Sequence, residues 1–308
     1  MLTQGAVALI VVLIITINTN HHNMTYTKSL TRPIALKLAG AADRNDKAKL
    51  IEILSQFNFN DKARTWGAEA RVLVEWLKDT TQPAQYSIFV KGNSKLPFYA
   101  FSNLPLVNCP GKGDCAKWCY SLKAWRTPGG LFRQIQNTIL IRERSSQLKT
   151  AFYALPKNTD VRLYVDGDID SLSTMIFWFN LMNNREDLNV YGYSKSWKLF
   201  VEYYEMGGKF PNNYSLNLSS GSRYENRQDI VDVMNSLPIT RGNFIAVQAG
   251  KKPTSKEVRV AAIAQGIKNV FVCPGKCGEC LKTKTVKNVH ACGSLNTFKN
   301  VNIVIGVH

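Results

Sequence analysis

Between residues 86 and 272 the chain alternates strand-like and helix-like periodicity, and that alternation limits the folds open to it. Apolar runs stand at residues 96–101, 161–165, 188–193, 214–218, 243–247 and 269–272. Helical spacing fills the intervals, over residues 130–153, 171–182, 197–206, 226–237 and 255–265. A preceding run at residues 86–90 pairs with the first as a hairpin around Gly92-Asn93. Strands separated by helices pair in parallel through right-handed crossovers. Their nearly continuous apolar content, as in Val161-Arg162-Leu163-Tyr164-Val165, suits strands covered by helices. Six such units predict an α/β fold, a partial (β/α)6 barrel, with a doubly wound sheet as the other arrangement.

The flanks give the rest of the organisation. Residues 33–57 and 66–78 carry helical spacing around the polar turn at residues 43–46, and form an N-terminal helical cap over residues 24–85. The barrel then occupies residues 86–272, and a cysteine-rich C-terminal module occupies residues 273–308. Ahead of the cap, residues 1–23 are an apolar segment. Counted from Leu2, its run is about sixteen residues, short of the ~20 that span hydrocarbon. No Lys or Arg precedes it, so it lacks the basic start of a signal peptide. Three readings stand: a translation start placed upstream of Met24, a membrane anchor if residues 2–17 are translated and retained, or a cleaved signal. Export would carry seven cysteines into an oxidising space, which argues against the last.

All seven cysteines fall into two groups. Cys109, Cys115 and Cys119 follow the first barrel strand, and Cys273, Cys277, Cys280 and Cys292 follow the last. Such crowding is poor geometry for disulfides and good geometry for a metal or cluster in a reducing cytosol. Three thiolates leave a metal position vacant; four close a site. The formal charge of +17 favours anionic partners, nucleic acid first. Ten Lys and Arg against two Glu in residues 251–308 put +8 of it beside the second group, where lysines would favour thiolates.

Polar groups gather at the C-terminal ends of the strands, the rim where α/β folds bind ligands. There the chain has the three cysteines, then Asp166-Gly167-Asp168, Ser194-Lys195, Asn217 to Ser222, and Cys273. Asp166, Asp168 and Asp170 fit a divalent cation or a turn in which Asp170 caps the next helix. Lys195 and Trp197 fit a substrate contact, or a solvated amine and a packed indole. Ser219 to Ser222 fit a ribose contact or a plain turn.

A strand followed by a three-cysteine loop, with Trp118-Cys119-Tyr120 at its end, resembles the radical S-adenosylmethionine enzymes. That resemblance implies a [4Fe–4S] cluster on Cys109, Cys115 and Cys119 with one iron free for S-adenosylmethionine. It implies that Asp166-Gly167-Asp168 holds the methionine amino group, with Tyr120, Asn217 and Ser219 as further cofactor contacts. Asp168 and Lys195 are then the candidate catalytic residues. The C-x5-C-x3-C spacing departs from the superfamily's C-x3-C-x2-C, which Cys273, Cys277 and Cys280 instead show. Only 28 residues follow Cys280, too few for a barrel, so this group reads as a second site holding [4Fe–4S] or Zn2+. Its fourth ligand is Cys292, with His290 as the alternative.

Over residues 96–290 the local motifs are also similar to a phage-encoded family called gene product 88. The function expected is a radical S-adenosylmethionine-like oxidoreductase or transferase in the host cytoplasm. Its substrate is unassigned, with nucleic acid or nucleotide suggested by the charge, and its reductant would be a flavodoxin or ferredoxin. The alternative is a phage or plasmid zinc-containing DNA- or RNA-binding protein of replication.

Overall fold

A short antiparallel hairpin opens the sheet, β1 (Val90–Lys91) pairing with β2 (Tyr99–Ala100). Every later pairing is parallel: β3 (Asp160–Leu163), β4 (Asn189–Ser194), β5 (Tyr214–Ser219), β6 (Thr240–Val247), β7 (Val270–Val272) and β8 (Asn302–Gly306). The computed structural model describes residues 32–57, 66–79, 81–92, 98–275, 277, 280 and 290–306. The apolar segment at residues 1–23, with the readings attached to it, lies outside them, as does the centre of the hairpin turn. Among the described residues no helix is long and apolar enough to cross a membrane.

Helices fill the expected intervals. The cap is α1 (Arg32–Asp43), α2 (Lys47–Leu54) and α3 (Trp66–Lys78). Between β2 and β3 lie α4 (Pro128–Glu143) and α5 (Ser145–Tyr153), where one long helix was expected. Arg144 breaks it, with φ −131° and ψ 44° outside helical space. The remaining crossovers carry α6 (Leu172–Asn183), α7 (Trp197–Glu205), α8 (Gln228–Ser236) and α9 (Ser255–Ala264). Asp170 does not cap α6; the Ser171 hydroxyl does, accepting from the Thr174 N–H at 3.2 Å.

The strand order is β1-β2-β3-β4-β5-β6-β8-β7, a mixed α/β arrangement with an eight-stranded, mostly parallel sheet. All six expected strands are present. The unexpected one is β8, which inserts between β6 and β7, so the sixth expected strand does not pair with the fifth.

From β2 to β6 each strand lies beside its predecessor, and right-handed crossovers then place the helices on one face. The strands alternate accordingly. Val161, Leu163, Val190, Leu216 and Leu218 join the main apolar core with helix residues such as Trp178, Phe179 and Phe200. Arg162, Tyr191, Tyr193, Ser215 and Asn217 take the intervening positions and meet the chain between β7 and β8 instead. The cap shares the main core: the rings of Trp66 and Phe132 on α4 meet edge to face at 5.6 Å.

Trp178 on α6 is the hub of that core. Its ring is 5.0 Å from Phe101, 6.0 Å from Phe152 and 6.2 Å from Phe89, and its Nε1 donates to the Tyr164 hydroxyl at 2.8 Å. Trp178→Ala is expected to cost about 3–5 kcal/mol of unfolding free energy, read as a lower urea midpoint.

Candidate functional site

The segment between β2 and α4 carries Cys109, Cys115 and Cys119 across the C-terminal ends of the strands. It is fastened there by backbone contacts. Lys112 pairs antiparallel with Ser222 as an isolated bridge. The Gly113 N–H donates to the Gly221 carbonyl at 3.0 Å, and the Arg223 N–H donates to the Gly111 carbonyl at 3.0 Å. The Ser222 hydroxyl donates to the Lys195 carbonyl at 3.0 Å, joining the loop after β5 to the end of β4.

Glycine is required at this seam. A Cβ on Gly111 would lie 1.6 Å from the Lys195 carbonyl oxygen. One on Gly221, where φ is +81°, would lie 2.8 Å from the Cβ of Cys115. Beside β3, Asn103 receives the Asp166-Gly167-Asp168 turn, its N–H donating to the Asp166 carbonyl at 3.1 Å. The indole of Trp125, in the short 3-10 turn Tyr120–Arg126, donates to Gln134 Oε1 at 2.8 Å. Gln134 Nε2 in turn donates to Asp166 Oδ2 at 3.0 Å. So α4 positions both the cysteine segment and the acidic turn.

The three cysteines are free thiols, each half-buried. Burial pushes the Cys109 thiol pKa up and nearby Asp168 adds to this, while Lys195 opposes it. Burial raises Cys119 as well, with Cys115 and Asp166 adding and the N–H groups of Ser121 and Leu122 opposing. The Asp166 and Asp168 carboxyls are raised, again chiefly by burial. Asp168 is saturated by the chain: Oδ1 accepts from the Ser194 hydroxyl and the Ile169 N–H, and Oδ2 from the Lys195 N–H, all at 2.8 Å. The Lys195 ammonium donates to the Ser219 hydroxyl at 2.5 Å. Tyr120 is exposed, its hydroxyl donating to the Val165 carbonyl at 3.4 Å.

Cys109, Cys119, Asp166, Asp168, Lys195 and Ser219 therefore gather at one rim. Asn217 is not with them. It is fully buried beneath the sheet's other face, its Nδ2 donating to the carbonyls of Gly192 and Cys292, both at 3.0 Å.

The second cysteine group sits on that face. Cys273 follows β7, and Cys292 lies in the 3-10 turn Ala291–Gly293, packed with Phe98, Tyr191, Phe298 and Ile303. Cys277 and Cys280 pack against the same cluster. Cys273 interacts electrostatically with Cys280 and Cys292, and Cys277 with Cys273 and Cys280. Burial pushes the Cys292 thiol up to about 12, although its hydrogen bond with Tyr193 pulls the other way. His290 is buried too, and among the described residues neither ring nitrogen has a hydrogen-bond partner. Its ring lies 4.4 Å from Tyr191 and 5.4 Å from Phe98, and burial lowers its pKa to about 4. Asp160 opposes that lowering and Arg162 adds to it.

Among the described residues, no three His, Cys, Asp or Glu side chains stand in a chelating arrangement. What both groups offer is the donor chemistry: free thiols, unpaired by disulfides and held near one another.

Two residues at the second group carried no expectation from the sequence. The Arg162 guanidinium lies over the Tyr193 ring at 4.5 Å, with its Nε buried and, among the described residues, without a hydrogen-bond partner. Arg241, fully buried, donates through Nε to Asn217 Oδ1 at 2.7 Å, through Nη1 to the Val301 carbonyl at 2.6 Å, and through Nη2 to the Asn243 carbonyl at 2.8 Å. An arginine in the middle of an apolar parallel strand was the signal for Arg162.

The model of the gene product 88 family matches residues 75–294, more than half of the chain. The chain belongs to the gene product 88 family. The match to this phage-associated family takes in both cysteine groups and every strand except β8. No curated protein and no solved structure matches.

The seam that fixes the cysteine segment of this gene product 88 protein is open to direct test. Gly111→Ala is expected to lose about 2 kcal/mol or more of stability, because backbone must move. Gly129→Ala, whose Cβ would meet nothing within 4 Å, is expected to be neutral or stabilising by up to about 1 kcal/mol. Urea denaturation of both variants checks the contrast, and alkylation of Cys109 should accelerate in the first.

Proposed function

We propose that this protein is an iron–sulfur enzyme of radical S-adenosylmethionine-like type, with its open centre on Cys109, Cys115 and Cys119. The observation that carries the reading is the placement of three free thiols on a segment fastened across the C-terminal ends of parallel strands, beside Asp166, Asp168 and Lys195. The one-directional winding from β2 to β6 supports a partial (β/α)6 barrel for the same span.

The donor set suits the group in kind, since three thiolates hold three irons of a [4Fe–4S] cluster and leave the fourth open, and the cysteine segment would have to close around it because the three do not stand in a chelating arrangement. When bound, such a cluster supplies one-electron reduction to a ligand on its free iron, fed by a flavodoxin- or ferredoxin-like donor. The chain's own residues do the rest. Gly111 and Gly221 let the cysteine segment lie against the strand ends. The Lys195 ammonium offsets negative charge beside Cys109 and presents itself at the rim with Ser219. Asp168 orients Lys195 through the backbone rather than by accepting its ammonium. Gly167 lets Asp166 and Asp168 turn against Asn103, which would otherwise meet its Cβ at 1.6 Å. The second group would hold a [4Fe–4S] cluster or Zn2+, and the net charge of +17 favours a nucleic acid or nucleotide substrate.

Anaerobic reconstitution with iron and sulfide, followed by S-adenosylmethionine and dithionite, tests the proposal. The expected result is a brown protein that releases 5′-deoxyadenosine, with release abolished in Cys115→Ala. A colourless protein carrying two zinc ions and binding DNA in a salt-sensitive manner would overturn it in favour of a zinc-containing nucleic-acid-binding protein.

A further inference from the structure

Two aromatic side chains at the rim take no part in the packing that holds their segment. Trp118 is 38% exposed and Tyr120 is 56% exposed, and among the described residues neither forms a ring pair. A lone exposed aromatic is ordinary, but this segment also shows what a structural tryptophan does. Trp125 is buried and donates to Gln134.

Local geometry explains the division. Tyr120–Arg126 is a 3-10 turn, in which side chains three residues apart stand above one another. One row is Leu122 and Trp125, which pack with the main core. Another is Tyr120, Lys123 and Arg126, all three exposed. At a rise of about 2 Å per residue, that row sets a ring, an ammonium and a guanidinium about 6 Å apart. The bond from the Tyr120 hydroxyl to the Val165 carbonyl anchors the row at the end of β3.

The cations here lack counter-charges. Lys123 and Arg126 form no ion pair among the described residues. Nor does Arg223, whose N–H donates to Gly111 on the same segment. The acids of the rim are engaged elsewhere. Asp114 pairs with Lys117, Glu225 accepts from the Gly221 N–H, Asp166 from Gln134, and Asp168 from Ser194, Ile169 and Lys195. Residues 109–126, 166–168, 195–198 and 219–225 hold seven Lys and Arg against four Asp and Glu, so the rim stays at +3 with every carboxyl ionised.

Open aromatic faces beside basic side chains suit a strand whose bases stack and whose phosphates follow the charges. We propose that residues 117–126 form a docking surface for single-stranded nucleic acid. Bases stack on Trp118 and Tyr120, and Lys123, Arg126 and Arg223 hold the phosphates. A duplex keeps its base faces stacked within itself and cannot offer them. This rests on the reading that the substrate is a nucleic acid, and it specifies a single strand. The readout is binding, so absence of 5′-deoxyadenosine sinks the radical chemistry alone and the failures below sink the docking surface alone.

The full chain is titrated into labelled oligothymidylate of about 12 nucleotides and followed by fluorescence anisotropy. Trp118→Ala and Tyr120→Ala are each expected to bind about tenfold more weakly, with Trp118→Phe within about threefold of the parent. An abasic strand of the same length keeps the phosphates without the bases. It should bind the parent about tenfold more weakly than oligothymidylate, and bind both alanine variants as it binds the parent. Lys123→Gln/Arg126→Gln should flatten the slope of log affinity against log salt by about 1.4, at about 0.7 per phosphate contact. Oligouridylate runs alongside; binding of either strand supports the proposal, and the tighter one names the nucleic acid. Alanine variants that bind like the parent overturn it, as does equal affinity for abasic and base-bearing strands or for duplex and single strand. A surface that binds an acidic ferredoxin and no strand belongs to the reductant, and overturns it too. Should circular dichroism show either alanine variant unfolded, the abasic comparison on the parent decides.

Discussion

A parallel sheet wound in one direction has one face that its own crossovers never cover. The helices from α4 to α8 bury the face bearing Val161, Leu163, Val190 and Leu216. The opposite face needs a cover, and a polar one, because its positions are Arg162, Tyr191, Tyr193, Ser215 and Asn217. Residues between β7 and β8 provide it: the Cys292 and Gly293 carbonyls accept from Asn217 and Ser215 at 3.0 and 3.5 Å. The late strand β8 then returns the chain between β6 and β7 and closes the cover at both ends. The C-terminal cysteine module is thus a second wall of the sheet.

The same geometry separates the two thiol groups in place. The first group rides on a segment held at the strand ends, reachable from solvent, with each cysteine half-buried. The second packs among Phe98, Tyr191 and Phe298 on the sheet face, where Cys292 is buried outright. Sites that exchange small molecules belong at rims, and sites that hold a fold together belong against a core. Their seams differ in kind as well. Backbone hydrogen bonds and glycines fix the first, so its geometry depends on φ values and close approach. Side-chain hydrogen bonds from Asn217 and Arg241 fix the second, so its geometry depends on buried polar satisfaction.

Much of the fold was legible because its signals are periodic. Apolar runs bounded by helical spacing located β2 to β7, and their boundaries moved by a few residues. The long helix before β3 was read across Arg144 because the apolar pattern of Ile139, Leu140, Leu148 and Phe152 continues past the break. Strand β8 was missed because it follows the cysteine module, and a strand returning to the middle of a sheet leaves no local mark. Among the candidate residues, the rim cysteines, Asp168 and Lys195 were read from their place after strands, and the structure brings Cys109, Cys119, Asp168 and Lys195 to one rim. Asn217 was misplaced because alternation, rather than chain position, decides that it faces the module. Arg162 sat unread inside Val161-Arg162-Leu163, since the run was taken for its apolar content and not for its exception.

Arg162 also has electrostatic neighbours on both the rim side and the module side of the sheet. On the rim side it neighbours Tyr120 and lowers the Asp166 carboxyl pKa against the effect of burial. On the module side it acts on Cys273, Cys277 and Cys292. Burial pulls its own pKa down, and Tyr193, Tyr120, Tyr191 and Cys277 together more than offset that, so it remains charged. A fixed cation there favours the Asp166 carboxylate on one side and the thiolates of Cys273, Cys277 and Cys292 on the other. The sheet interior screens these pairwise interactions far less than water would.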